Sequence, residues 1–155
     1  MPWQHIYGSK AGSVLQLGGQ ALPRVTEKWH LGVSLAQNLR WGQHIDCLIK
    51  KVSGSVALCK SLAYQHHLAV VIKQFYLSYI HSKLDFCSAV WCGASQRSLR
   101  RLERIQLQLA RAISRIFSSS SSAILSAAGL PTLAWHRREH CLLVLWKVRN
   151  GQGPP

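Results

Sequence analysis

Acidic side chains are what this sequence most conspicuously lacks. Five Asp and Glu stand against 19 Lys and Arg, a formal net charge of +14 with pI near 10.3. The only aspartates are Asp46 and Asp85 and no two acids are adjacent, so a catalytic cluster of carboxylates is not available. Long apolar runs are missing too. The longest, Cys141 to Trp146, is six residues, against roughly 20 for a membrane span. The opening MPWQHIYGSK has no apolar h-region of the kind a signal peptide carries, which predicts an intracellular chain, nuclear and cytoplasmic. Paired cysteines are absent as well. Five cysteines, an odd number without framework spacing, read as reduced thiols.

What is present argues for a packed domain with a polyanionic partner. Apolar content of 48% and six tryptophans are enough for a core. A chain of 155 residues is expected to form one domain and bury roughly two-thirds of its unfolded surface. An excess of positive charge this large makes an isolated monomer repel itself, and nucleic acid is the natural complement. A membrane surface fits less well, because no helix sets a bulky aromatic face against lysines.

Residues 1–12 show no period and carry no assignment. From Ser13 to Val25 (SVLQLGGQALPRV) two short Val- and Leu-rich runs flank Gly18-Gly19, a pair that accepts the positive φ of a tight turn, and a hairpin is predicted. Trp29 to Leu35 alternates as a further strand, with Gly32 marking a bulge or a close backbone approach. Residues 13–38 are thus the β element. After Asn38 the apolar period changes from two to 3.6. Ile45, Leu48, Ile49, Val52, Val56, Cys59 and Leu62 make a helical stripe, weakened at Gly54 by about 1 kcal/mol relative to Ala. Leu68 to His81 is a second helix, with Val71, Ile72, Phe75, Tyr79 and Ile80 expected inward. Leu84 to Trp91 either continues it or forms an extended elbow, and Gly93 breaks the chain before the next helix.

That next helix, Ser95 to Phe117, organises the rest. Leu99, Leu102, Ile105, Leu109, Ala112, Ile113 and Ile116 share one face, and Arg97, Arg101, Arg104, Gln108, Arg111 and Arg115 recur on the other. A guanidinium fork matches phosphate oxygens bidentately, so such a stripe can grip a nucleic-acid backbone. A merely solvated basic face is the plainer reading. Ser118 to Ser122 is expected to be a loop, SAILSAAGL two helical turns ending near Gly129, and Thr132 to Asn150 a last helix. The second half of that helix, apolar nearly all round from Cys141 to Val148, is expected to be buried. Asn150-Gly151 is a helix stop, and 151–155 is a tail. The predicted fold is mainly α, a bundle-like layer over 39–150 behind a small N-terminal antiparallel β element.

Several blocks, in this order, carry a resemblance: VLQLGG; Leu31-Gly32-Val33 with Trp41 and His44-Ile45; Leu84-Asp85 with Cys87 and Trp91; LRRLERIQ; AAGLPTL with Arg137-Arg138; and LWKVRNG. The stretch from about Ser13 to Pro154 resembles the C-terminal part of non-LTR (LINE, jockey-like and BovB-like) retrotransposon reverse transcriptases. Phe86 stands where that family usually has Tyr, and the serine run replaces a more mixed loop. The resemblance implies the thumb and post-thumb region of an RNA-directed DNA polymerase. Its partners would be an RNA or DNA template–primer backbone and an upstream palm. Polymerisation uses two Mg²⁺ ions about 4 Å apart on clustered carboxylates, and the resemblance puts these in the palm, so this chain is expected to be non-catalytic and to need no cofactor of its own. Arg97, Arg101, Arg104, Arg111 and Arg115, helped by Arg100, are the candidate backbone contacts. The alternative is a decayed relic or helical interaction fragment that binds nothing.

Two other constellations of Cys and His occur in the sequence. Cys87, Cys92, His136 and His140 spell a four-ligand zinc set, but the stretch between Cys92 and His136 far exceeds the 12 to 15 residues usual in a small finger, so no metal is expected. Nothing in the sequence selects one Cys–His pair as a nucleophile and base. Trp29, Trp41, Trp91, Trp135 and Trp146 could stack on bases, though core packing is expected for most.

Overall fold

The computed structural model describes residues 16–21, 23, 25–64, 68–117 and 120–152. Two hairpins come first. Gly18 and Gly19 take φ of 59° and 81°, the pair of positive angles that a two-residue turn needs to match strand twist. They join β1 (Gln16–Leu17) to β2 (Gln20–Ala21) as antiparallel partners, as the sequence predicts. Ser13, Val14, Leu15, Leu22 and Arg24 of that expectation lie outside the described residues.

The run from Trp29 to Leu35 departs from its predicted single strand. Leu31 (φ 45°) and Gly32 (φ 83°) form a second two-residue turn, so β3 (Glu27–His30) folds back on β4 (Val33–Ala36) in a separate sheet. Two consecutive positive φ values reverse the chain, which one bulged residue does not. The close approach expected at Gly32 is present: a Cβ there would lie 3.0 Å from Phe86 Cε1. β4 lies on the first helix and buries Val33 and Ser34.

α1 (Gly42–Leu62) buries Ile45, Leu48, Val52, Val56 and Cys59, the stripe read from its spacing, together with His44. α2 (Ala69–Phe75) runs through a π-helical stretch (Tyr76–His81) into α3 (Ser82–Asp85). Its buried residues are Ile72, Tyr76, Ile80 and Leu84. In a regular α-helix each four-residue step drifts about 40° round the axis. The wider π turn offsets that drift and keeps the four on one side. Val71 and Tyr79, expected inside, are exposed, because the inward line passes through Tyr76 instead. Tyr79 stacks on Phe75 at 5.3 Å between ring centroids, with the Lys83 ammonium 3.6 Å from its ring.

Leu84 and Asp85 continue the helix, but Phe86 to Trp91 is neither helix nor extended elbow. After Asp85 the chain makes successive turns with Cys87 at φ 53°, which brings Trp91 into the core with its indole N–H donating to Phe86 O at 3.0 Å. α4 (Gln96–Ser114) follows, capped by Ser95, and is the centre of the bundle: α1, α2, α5 (Ser121–Ala128) and α6 (Leu133–Arg149) all pack on it. Leu99, Leu102, Leu109 and Ala112 are buried and Ile105, Ile113 and Ile116 half-buried, as the helical period requires.

The serine run is only partly a loop. Ser120 caps α5 by accepting from the Ala123 amide at 3.3 Å, and Ser121 and Ser122 are helical, because a hydroxyl at an N-cap satisfies a free amide. Ser118 and Ser119 lie outside the described residues. Gly129, at φ 63°, ends α5 as expected. Buried Gln106 then fixes the entry to α6: its Nε2 donates to Pro131 O at 2.7 Å and its Oε1 accepts from the Leu133 amide at 3.1 Å.

α6 corrects a further expectation. Its buried side chains are Leu133 and Arg137, whereas Leu142, Leu143, Val144, Leu145, Trp146 and Val148 are exposed. Apolarity all round a helix does not bury it; another element must cover it, and α6 meets α3 and α4 through its first half. Of Trp29, Trp41, Trp91, Trp135 and Trp146, two pack as core residues. Trp91 is fully buried and Trp41 lies against the core, while Trp29, Trp135 and Trp146 are about half exposed.

Candidate nucleic-acid interface

On the outer face of α4, Arg97, Arg100, Arg104 and Gln108 are exposed and Arg111 is half-buried at the rim. Their spacing of three and four confines them to about a quarter of the helix circumference. From Arg97 to Arg111 the line runs about 21 Å at 1.5 Å per residue.

Two of the five predicted residues sit differently. Arg101 lies at the edge of the stripe, where its Nη1 donates to Asp46 Oδ1 on α1. Arg115 has left the helix, which ends at Ser114 rather than Phe117; it adopts a left-handed φ of 59° and its Nη2 donates to Ala63 O at 3.1 Å. Arg97, Arg104 and Arg111 therefore remain on a common line and Arg100 joins them.

The five carboxylates are all engaged within the fold. Asp46 takes Arg101; Glu103 takes the buried Arg137 at 2.9 Å; Asp85 faces His140, Glu139 faces His136, and Glu27 accepts from the Ser34 hydroxyl. Among the described residues no carboxylate pairs with Arg97, Arg100 or Arg104. The stripe is thus a field of positive charge that the chain itself does not neutralise.

Where the stripe meets the end of α1, a cleft of about 320 Å³ opens between Lys60, Tyr64, Gln108, Arg111, Arg115 and Phe117. Tyr64 is 87% and Phe117 71% exposed. Exposed aromatic faces beside cations are the arrangement on which unpaired bases stack. Neither ring stood out in the sequence, because exposure depends on where two helix ends meet. A different cation is already engaged elsewhere: Lys51 lies 4.3 Å from the Trp29 ring.

At the other end of α1, sequence blocks from three separate stretches converge on His44. His44 is fully buried among Trp29, Trp41 and Trp91, with ring centroids 6.0 to 6.4 Å away, and its Nδ1 accepts from the Ser34 amide at 3.3 Å. Burial, and then the charge of Lys51, hold its pKa below the ordinary 6.5. Cys87 and Cys92 are exposed and are not gathered with His136 and His140 into a metal-binding group among the described residues.

Comparison with protein-family models, with curated proteins and with solved structures finds no match to this chain. No helix among the described residues is long and apolar enough to cross a membrane.

Proposed function

We propose that this chain is a nucleic-acid-holding helical module of the kind that forms the thumb and following region of a LINE reverse transcriptase. In this reading it is non-catalytic by itself, works inside the cell, and takes its Mg²⁺-binding carboxylates from an upstream palm. Arg97, Arg100, Arg104 and Arg111 contact sugar-phosphate backbone without reading sequence, while Arg101 and Arg115 steady the edges of the stripe. The observation that carries the reading is the unneutralised line of guanidinium groups on a helix whose opposite face is core. The family assignment rests on the sequence blocks alone.

Fluorescence anisotropy with labelled duplex DNA, single-stranded DNA and RNA–DNA hybrid tests it. Binding at low salt, with similar affinity for unrelated sequences, is expected. Folded protein that leaves all three probes free at low salt would remove the proposal. A second reading, a helical interaction fragment, is favoured by the exposed apolar side chains of α6, Leu142, Leu145 and Trp146 among them; that outcome would leave it standing.

A further inference from the structure

His81 and Asp85 lie four residues apart at the end of the π-helical stretch and α3, and so share a face. α6 crosses there and brings His136 alongside, with its ring centroid 4.7 Å from that of His81. One potential ligand atom from each of His81, Asp85 and His136 falls within 4.8 Å of the others. Two polar atoms in this cluster, His81 Nε2 and Asp85 Oδ1, are shielded from solvent and have no hydrogen-bond partner among the described residues. Buried lone pairs left unsatisfied are costly, and convergent ones ask for a common partner.

We propose that His81, Asp85 and His136 form a binding site for one zinc ion, which clamps α6 onto α3. The inference is independent of the nucleic-acid reading. Two imidazoles and one carboxylate are a donor set suited to Zn²⁺, whereas Ca²⁺ and Mg²⁺ prefer oxygen ligands throughout. Tetrahedral zinc with bonds of about 2.1 Å separates its ligand atoms by about 3.4 Å, so atoms lying within 4.8 Å of one another need to draw together by at most about 1.4 Å, within reach of side-chain rotation. Burial, as the largest influence, lowers the His81 pKa against the opposing charge of Asp85, a shift that favours the neutral ring, the form that ligates.

The surroundings are built to orient these ligands. His140 Nε2 lies 3.5 Å from Asp85 Oδ2, and His140 Nδ1 is 2.8 Å from the Ser88 hydroxyl, so a Ser88–His140 relay holds one carboxylate oxygen and leaves Oδ1 for the metal. Glu139 Oε2 lies 3.8 Å from His136 Nδ1, close enough to bias that ring toward coordinating through Nε2. The fourth position is left to water.

The experiment uses the full chain, stripped with chelator and checked by circular dichroism. ZnCl₂ is added in a calorimeter, CoCl₂ is followed by visible absorption, and thermal melting is recorded with and without zinc. One zinc per chain, a higher Tm with zinc, and a cobalt spectrum free of the strong near-ultraviolet band of thiolate ligation are expected. His81→Gln and His136→Gln should each weaken zinc by more than about 100-fold and His140→Ala by about 10- to 100-fold. The Cys87→Ser/Cys92→Ser variant should bind as the parent does. Folded parent protein without stoichiometric zinc overturns the proposal, as does a thiolate band or loss of zinc in the double cysteine variant; these parent measurements decide it even if a histidine variant fails to fold.

Discussion

Backbone contacts by the α4 stripe should be visible in salt dependence, and the geometry sets the size of the effect. Four guanidinium groups, Arg97, Arg100, Arg104 and Arg111, project from one side of the helix. Each phosphate neutralised contributes about −0.9 to the slope of log affinity against log salt on duplex DNA and about −0.7 on a single strand. Four contacts therefore give about −3.6 and about −2.8, and between 50 and 200 mM salt the duplex affinity should fall about 150-fold. Changing Arg97, Arg104 and Arg111 to Ala leaves one contact, a slope near −0.9 and a fall of about 3- to 4-fold. Alanine is the better helix former, so α4 should survive, and circular dichroism checks that it does. Arg101→Ala is the internal contrast. Its charge already faces Asp46, so it should move the slope by less than half as much as Arg104→Ala. Both partners of that ion pair are more than 40% exposed, so its removal should cost stability only about 0–1 kcal/mol. Anisotropy titrations at four salt concentrations suffice. A triple variant whose slope equals that of the parent would show that the stripe is only the wet side of a core helix.

Three further outcomes follow from the packing. Gln106→Ala should lower stability by roughly 2–4 kcal/mol in chemical denaturation, because Pro131 O and the Leu133 amide both lose their partner; a loss under 1 kcal/mol would mean that water replaces the side chain. Leu102→Ala, at a fully buried site, should cost about 2–5 kcal/mol, whereas Leu145→Ser, at a site 65% exposed, should change stability by no more than about 0.5 kcal/mol, and equal effects would show that α6 is covered in solution. Acid should weaken the fold through His44. Its folded pKa lies below the unfolded value of 6.5, so the unfolded chain binds the proton first, and stability present above pH 6.5 declines as pH falls below it. His44→Asn keeps an acceptor near the Ser34 amide without titrating, and its melting temperature should fall less steeply between pH 7 and 5; parallel curves would exclude His44 as a source of the acid sensitivity.

Local signals decided much of this protein. The three- and four-residue spacing of apolar side chains placed α1 and α4 nearly to their ends, since each buries one continuous face against a neighbour. Gly18-Gly19, Gly129 and Asn150-Gly151 marked chain reversals and helix stops because positive φ is a property of one or two residues. The Arg97–Arg111 line on α4 was legible for the same reason: helical phase alone puts it opposite the core. Tertiary structure decided what depends on a partner distant in sequence. Arg101 is paired because Asp46 comes alongside on α1, and Arg137 is buried because Glu103 meets it across α4 and α6. The second half of α6 is exposed despite its composition because no described element lies over it. His81, Asp85 and His136 gather although Asp85 and His136 are 51 residues apart in sequence, and Cys87 and Cys92, which look like metal ligands in sequence, do not. Periodicity fixes which way a side chain leaves its own helix; only the crossing of two helices fixes what it meets.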